Sequence, residues 1–235
     1  MSGQTSNRDD YRKSFLRHVH CLIQLGYASL TPTAFSTSEE DDITGELCRH
    51  MQALTDDKPT VPWMNLYSVH DQNPVHGATD PASGRIKLGK RRPKLDIRFV
   101  SKWTSPSQRF CVEAKRLYRS DSVSSYMDDE GLGAFVAGYY AVNDTSGGMM
   151  GYVQAKSVGY WQTKIEARLD FDCSAQLISG LRKSAPHRFN AGPNHTFRSR
   201  HDRTGTSQPV EIFHTLLAVS YTHLRAHETK ANLVC

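Results

Sequence analysis

No apolar run in the 235 residues approaches the roughly 20 that a helix needs to cross a bilayer. The opening stretch, MSGQTSNRDDYRKS, is polar, so no secretory leader is expected. Cysteine is scarce: five residues, an odd number with no C-x-x-C pair. That count argues against a disulfide framework and for reduced thiols in a cytoplasmic protein. Cys48 with His50, and His18 with His20, lack a second pair at zinc-ligand spacing and read as ordinary buried or surface side chains. No internal repeat is present. The composition, 9% aromatic and 23% charged, is that of a globular protein long enough to bury one good core. The net charge of +5 fits an anionic partner.

Acidic residues are what the middle of the chain lacks. From Arg85 to Arg119 there are twelve Lys and Arg residues against two acids, Asp96 and Glu113, a local net charge of +10. Those two acids fall in neighbouring apolar runs, LDIRFV (Leu95 to Val100) and FCVEAK (Phe110 to Lys115). Both runs are short and rich in β-branched and aromatic residues. A turn-like stretch, Lys102 to Gln108 with Pro106, separates them, which predicts an antiparallel hairpin. Alternate residues of a strand share a face, roughly 7 Å apart, so Glu113 and Lys115 point the same way and Asp96 can join them from the partner strand. Two converging carboxylates form a hard-oxygen site suited to Mg²⁺. A lysine beside them can orient water or stabilise charge on a phosphate. Glu228-Thr229-Lys230 repeats the spacing and Glu166-Ala167-Arg168 nearly does, but neither has a strand setting with an upstream aspartate.

Asp96, Glu113 and Lys115 resemble the D…(D/E)-x-K signature of the PD-(D/E)XK, or restriction-endonuclease-like, nuclease superfamily. The proline that often precedes the aspartate is displaced: Pro93 lies three residues upstream. YMDDEGLGAFVAGYYA (Tyr126 to Ala141) and GGMMGYV (Gly147 to Val153) are similar to a block in uncharacterised bacterial members. The resemblance spans roughly residues 40 to 217. It implies an α/β fold with a restriction-endonuclease-like core, a mixed central β-sheet flanked by helices. It also implies hydrolysis of nucleic acid with Mg²⁺, for which Mn²⁺ substitutes. Asp96 and Glu113 would be the metal ligands, joined by the Ala114 carbonyl, with Lys115 acting on water. An acidic residue on a preceding helix often completes such a site, and Glu46 is the matching candidate.

Along the chain, Tyr11, Phe15, Val19, Leu22 and Ile23 recur at helical spacing and predict a helix over 8–25, within an N-terminal helix and linker of residues 8–35. Ser36-Thr37-Ser38 followed by Glu39 to Asp42 is a helix start with acids where the dipole favours them. Ile43, Leu47, Met51 and Leu54 form the apolar stripe of that second helix, and Glu46 lies just off it. A strand near Trp63 to His70, a Gly/Pro/Asn-rich loop from Asp71 to Gly89 that suits a flap, and the hairpin follow. Then come a helix over Ser122 to Tyr140, with Gly131 and Gly133 permitting close packing, and a strand over Met149 to Gln154. A helix over Val158 to Leu169 and a last strand over Pro209 to Val219 complete the pattern. The stretch from His187 to Arg203 interleaves arginines with aromatic rings, a pattern suited to phosphates and unstacked bases, as is a solvated basic loop.

Residues 1–218 are expected to form a single domain. VSYTHLRAHET (Val219 to Thr229) resembles adapter or vector read-through, so residues 219–235 are expected to be foreign to the fold. The reading is a Mg²⁺-dependent nuclease acting first of all on DNA. Lys90, Arg91, Arg92, Lys94, Arg116, Arg198 and Arg200 would hold the backbone without reading sequence. A catalytically silent nucleic-acid-binding or assembly protein of the same fold is the alternative, and an RNA-directed nuclease another. Oligomeric state stays open, a dimer included.

Overall fold

The computed structural model describes residues 3–56, 61–74, 94–103, 107–174, 182–186, 192–203 and 208–220. The apolar stripe of the first segment, Phe15, Val19, Leu22 and Ile23, is buried along helix α1 (Gly3–Ser29), which extends past the predicted ends. A 3-10 turn, Pro32–Phe35, leads into α2 (Glu40–Asp56). Three acids fill the first turn of α2, where the unpaired N–H groups and the positive end of the dipole favour them. The Ile43, Leu47 and Met51 stripe packs α2 against α1. The helices approach closely at Gly26, where a Cβ would stand 2.6 Å from the Met51 Cγ.

The strands are β1 (Tyr67–Pro74), β2 (Lys94–Ser101), β3 (Arg109–Leu117), β4 (Ser146–Val153), β5 (Arg182–Pro186), β6 (Thr196–His201) and β7 (Val210–Ala218). They form one seven-stranded mixed sheet in the order β1-β2-β3-β4-β7-β6-β5. The β2–β3 pair is the expected antiparallel hairpin, in register from Val100 opposite Arg109 to Ile97 opposite Val112. β3, β4 and β7 run parallel, so the middle of the sheet is the part buried on both faces. All eight residues of β4 are buried, and its glycines touch neighbours on both sides. A Cβ at Gly147 would lie 2.5 Å from the Phe135 ring, and one at Gly151 2.5 Å from Leu117 and 2.6 Å from Leu216.

Helices α1 and α2 cover one face, over Phe99, Phe110, Val112, Met150 and Phe213. The other face carries α3 (Ser122–Met127), α4 (Leu132–Val136) and α5 (Val158–Ser174), over Cys111, Leu117, Met149 and Leu216. This is an α/β architecture with a mixed sheet flanked by helices, as expected. None of the described helices is long and apolar enough to cross a membrane.

Several boundaries differ from the sequence reading. The single helix expected over 122–140 is two short ones, because Asp128 turns extended and Gly131 adopts a non-helical conformation. A Cβ at Gly131 would sit 2.4 Å from the Tyr126 carbonyl oxygen, so the expected close packing is a backbone contact. Part of the basic stretch is the strand β6, paired to β7. The chain also stays packed past Ala218: Val219 is buried and donates its N–H to the Val153 carbonyl at 2.9 Å, and Ser220 is buried too. Residues 221–235 lie outside the described residues, as does most of the predicted flap. Cys48 and Cys111 are free and buried, whereas Cys21 is disulfide-bonded, which departs from the expectation of thiols throughout.

The paired histidines serve packing. His18 stacks on Trp63 at 4.2 Å and hydrogen-bonds the Tyr67 hydroxyl, and His20 hydrogen-bonds the Leu16 carbonyl. A buried polar chain lies under the second face. The Tyr126 hydroxyl meets His214 Nδ1 at 3.0 Å, and the Ser199 hydroxyl meets His214 Nε2 at 2.7 Å and His201 Nε2 at 2.6 Å. Burial drives His201 down to about 4 and holds His214 far below the ordinary histidine value.

Candidate active site

The β2–β3 ladder stops at Ile97 and Val112, one rung short of Asp96 and Glu113. Beyond that point β3 keeps its partner β4 but loses β2, which leaves N–H groups on the β2 side without a strand to accept them. Carboxylates take that place. The Asp96 Oδ2 accepts the Ala114 N–H at 2.7 Å, and the Glu40 Oε2 accepts the Arg116 N–H at 3.0 Å. A strand residue presents its N–H and C=O toward the same edge, so the Ala114 carbonyl faces this gap as well.

Lys115 sits between two acids. Its Nζ donates to Glu113 Oε1 at 2.8 Å and lies 3.5 Å from Glu40 Oε1. Asp96 and Glu113 are both buried, at 7% and 5% exposure, an uncommon place for two carboxylates. Desolvation is the main reason that Asp96 and Glu40 are held above the usual carboxylate range. Glu113 is pushed up to about 8, by burial first and then by the charge of Asp96, with Lys115 opposing. Burial disfavours the Lys115 cation, yet Glu113, Glu40 and Asp96 together hold its value above that of a free lysine. The surrounding acids thus favour the charged ammonium.

Among the described residues Glu113 Oε2 has no hydrogen bond of good geometry, although the Asp96 carboxyl and the Tyr140 hydroxyl both interact with the Glu113 carboxyl. A buried acceptor of this kind is costly unless a cation or a proton occupies the position. The Tyr140 hydroxyl stands nearby in the same field, donating to the Lys94 carbonyl at 3.2 Å, with its own ionisation suppressed by burial and then by Glu113 and Asp96. Among the described residues no group of three or more His, Cys, Asp or Glu side chains is arranged to hold a metal ion. The oxygens gathered at the gap belong to the Asp96 and Glu113 carboxylates and the Ala114 carbonyl. That suits a cation which keeps several waters, as Mg²⁺ does, and does not suit a closed cage such as structural zinc requires.

The structure brings Asp96, Glu113, Ala114 and Lys115 together and leaves Glu46 apart. Glu46 pairs with Arg49 at 2.6 Å and with His50 at 3.3 Å, and the Arg49 hydrogen bond keeps its carboxyl below the usual range. The helical acid at the cluster is Glu40, because α2 meets the strand gap with its N-terminus and not its flank. Its position in the first turn was visible in sequence; its proximity to β3 was not.

The basic residues separate in the same way. Lys94 and Arg200 are exposed. Arg116 is tied to the Ser38 carbonyl at 3.2 Å and to Glu39 at 2.7 Å, and Arg198 to Glu211 at 3.0 Å. Lys90, Arg91 and Arg92 lie outside the described residues. No family model, no curated protein and no solved structure matches the chain.

Proposed function

We propose that the chain is a metal-dependent nuclease of the restriction-endonuclease-like kind, using Mg²⁺ to hydrolyse phosphodiester bonds, with DNA as its first substrate. The observation that carries this reading is the break in the β2–β3 ladder. There Asp96 holds the Ala114 N–H, Glu113 holds Lys115, and a buried carboxylate oxygen of Glu113 has no hydrogen bond of good geometry among the described residues.

Asp96, Glu113 and the Ala114 carbonyl would hold Mg²⁺, which supplies a Lewis acid for the phosphoryl oxygen and lowers the pKa of a water. Asp96 is oriented by its hydrogen bond to the main chain and by its interaction with Glu113. Lys115, kept charged by its acidic neighbours, orients the attacking water and offsets negative charge building on the phosphate. Glu40 holds the ammonium from the side opposite Glu113. The burial of Asp96 and Glu113 strengthens each of these interactions. Lys94 and Arg200 contact the nucleic-acid backbone, which steers binding without reading sequence.

The test is plasmid cleavage by the purified chain. Cutting is expected with Mg²⁺ or Mn²⁺ and none with chelator, and Glu113→Ala and Lys115→Ala should each remove it. Equal residual activity in wild type and Glu113→Ala marks contamination. The chain is then better described as a nucleic-acid-binding protein of the same architecture.

A further inference from the structure

β3 does not end in a featureless turn. Three residues beyond Lys115, about 10 Å along an extended chain, Tyr118 presents a ring that is 38% exposed. Arg116 lies over that ring at 4.9 Å and Arg119 at 5.1 Å. The backbone that carries the ring is held in place. The Ser122 hydroxyl accepts the N–H groups of both Tyr118 and Arg119 at 3.2 Å, pinning the backbone where the strand turns into α3.

The two arginines are held differently. The Arg116 guanidinium is secured by the Ser38 carbonyl and by Glu39. Among the described residues Arg119 pairs with Asp121 alone, at 2.7 Å, with the side chains 61% and 60% exposed. An exposed pair of that kind is worth little and exchanges readily with solvent. Arg119 is therefore the group a planar ligand can displace from Tyr118, and once displaced it is free to meet a phosphate.

We infer that Tyr118 is a stacking platform for an unpaired nucleobase next to the scissile phosphodiester, with Arg119 closing on that nucleotide's phosphate. This rests on the nuclease reading and narrows it: the preferred substrate carries a single-stranded or frayed segment at the site. Stacking on an aromatic ring tolerates any base, since every base has a flat face, whereas a base inside a duplex is already stacked on its neighbours. Arg116, which lies over the ring, directly follows Lys115 in β3, so the ring and the lysine leave the strand end on its two sides.

Labelled oligonucleotides test this by anisotropy titration of the full chain in chelator, where cutting plays no part. A failed cleavage assay and a failed stacking result are thereby separable. The probes are a single-stranded DNA, its duplex, and the RNA of the same sequence. Tyr118→Ala should weaken binding of the single strand about tenfold, as one aromatic–base stack does, and leave the duplex nearly unchanged. Tyr118→Phe keeps the ring and should bind as wild type. A loss confined to the RNA probe supports the platform and assigns it to RNA. Equal losses on strand and duplex, no loss at all, or a phenylalanine variant as weak as the alanine one overturns the inference.

Discussion

The Asp96 carboxylate accepts the main-chain N–H of Ala114 at 2.7 Å, in the place where β2 would have supplied a carbonyl had the ladder continued. One side chain thus caps a strand edge, and this role can be separated by substitution from the proposed one in metal binding.

Asp96→Asn keeps an oxygen to accept the Ala114 N–H and removes the charge, whereas Asp96→Ala removes both. Cutting should be lost in each. The alanine variant should be less stable than the asparagine variant by about 1–3 kcal/mol, the cost of leaving a buried N–H unpaired. Urea melts of both proteins measure the gap. Equal midpoints would mean the bond contributes nothing to the fold.

Glu40 and Glu46 make a matched pair of controls on one helix. Glu40→Gln weakens the hold on Lys115 and should lower the cleavage rate by about tenfold or more. Glu46→Gln, which disturbs an exposed ion pair, should leave both rate and Mg²⁺ dependence intact. Single-turnover rates across a Mg²⁺ series distinguish them. The reverse result would give the role to Glu46.

The buried histidines set a stability profile in acid. His201 is driven by burial from an unfolded value near 6.5 to about 4, so between those pH values the unfolded chain binds more protons than the folded one. The His201 contribution is then fully present above pH 6.5 and is lost as the pH drops toward 4, on the order of 3 kcal/mol in all. Glu113, raised to about 8, acts in the opposite sense above about pH 4.5, so the His201 share is read as a difference between two proteins. Relative to wild type, His201→Gln should lose less melting temperature on acidification from pH 6.5 to 4, whatever the absolute stability of the variant. An unchanged loss would show that other groups govern acid unfolding.

Removal of residues 221–235 should leave the melting temperature and the cleavage rate unchanged. Removal from Val219 onward should destabilise the fold, because Val219 is fully buried and bonds β4. Exposing that side chain costs about 1.5–3 kcal/mol by transfer alone. Calorimetry of the two truncations gives the comparison directly.

The hairpin was legible because two apolar runs carried β-branched residues, a turn lay between them, and the acids stood out against a basic background. The position of Glu40 was half legible: helix-start acids announce a dipole, but nothing local reveals which strand a helix end will meet. Glu46 sits at a plausible distance from the apolar stripe, and only the direction in which α2 approaches β3 excludes it from the cluster. Strand β6 was obscured for a related reason. Arg198 and Arg200 alternate with buried Phe197 and Ser199, so the basic face masks a strand whose other face lies in the core. Tyr118 could have been noticed from the Arg-Leu-Tyr-Arg run that ends β3, where an aromatic stands among cations just past the proposed lysine.

The glycines of β4 supply no proposed catalytic side chain, although Gly151 pairs with Lys115 in the ladder, and a methyl added at Gly147, Gly148 or Gly151 has nowhere to go. Over generations such a strand has almost no freedom to drift: any replacement at Gly147 or Gly151 must be answered at Phe135, Leu117 or Leu216 in the same lineage. Among descendants of this chain, GGMMGYV should therefore change as little as the carboxylates themselves. An observer reading only that constancy would assign chemistry to a segment whose office is to keep two layers of side chains within reach of each other.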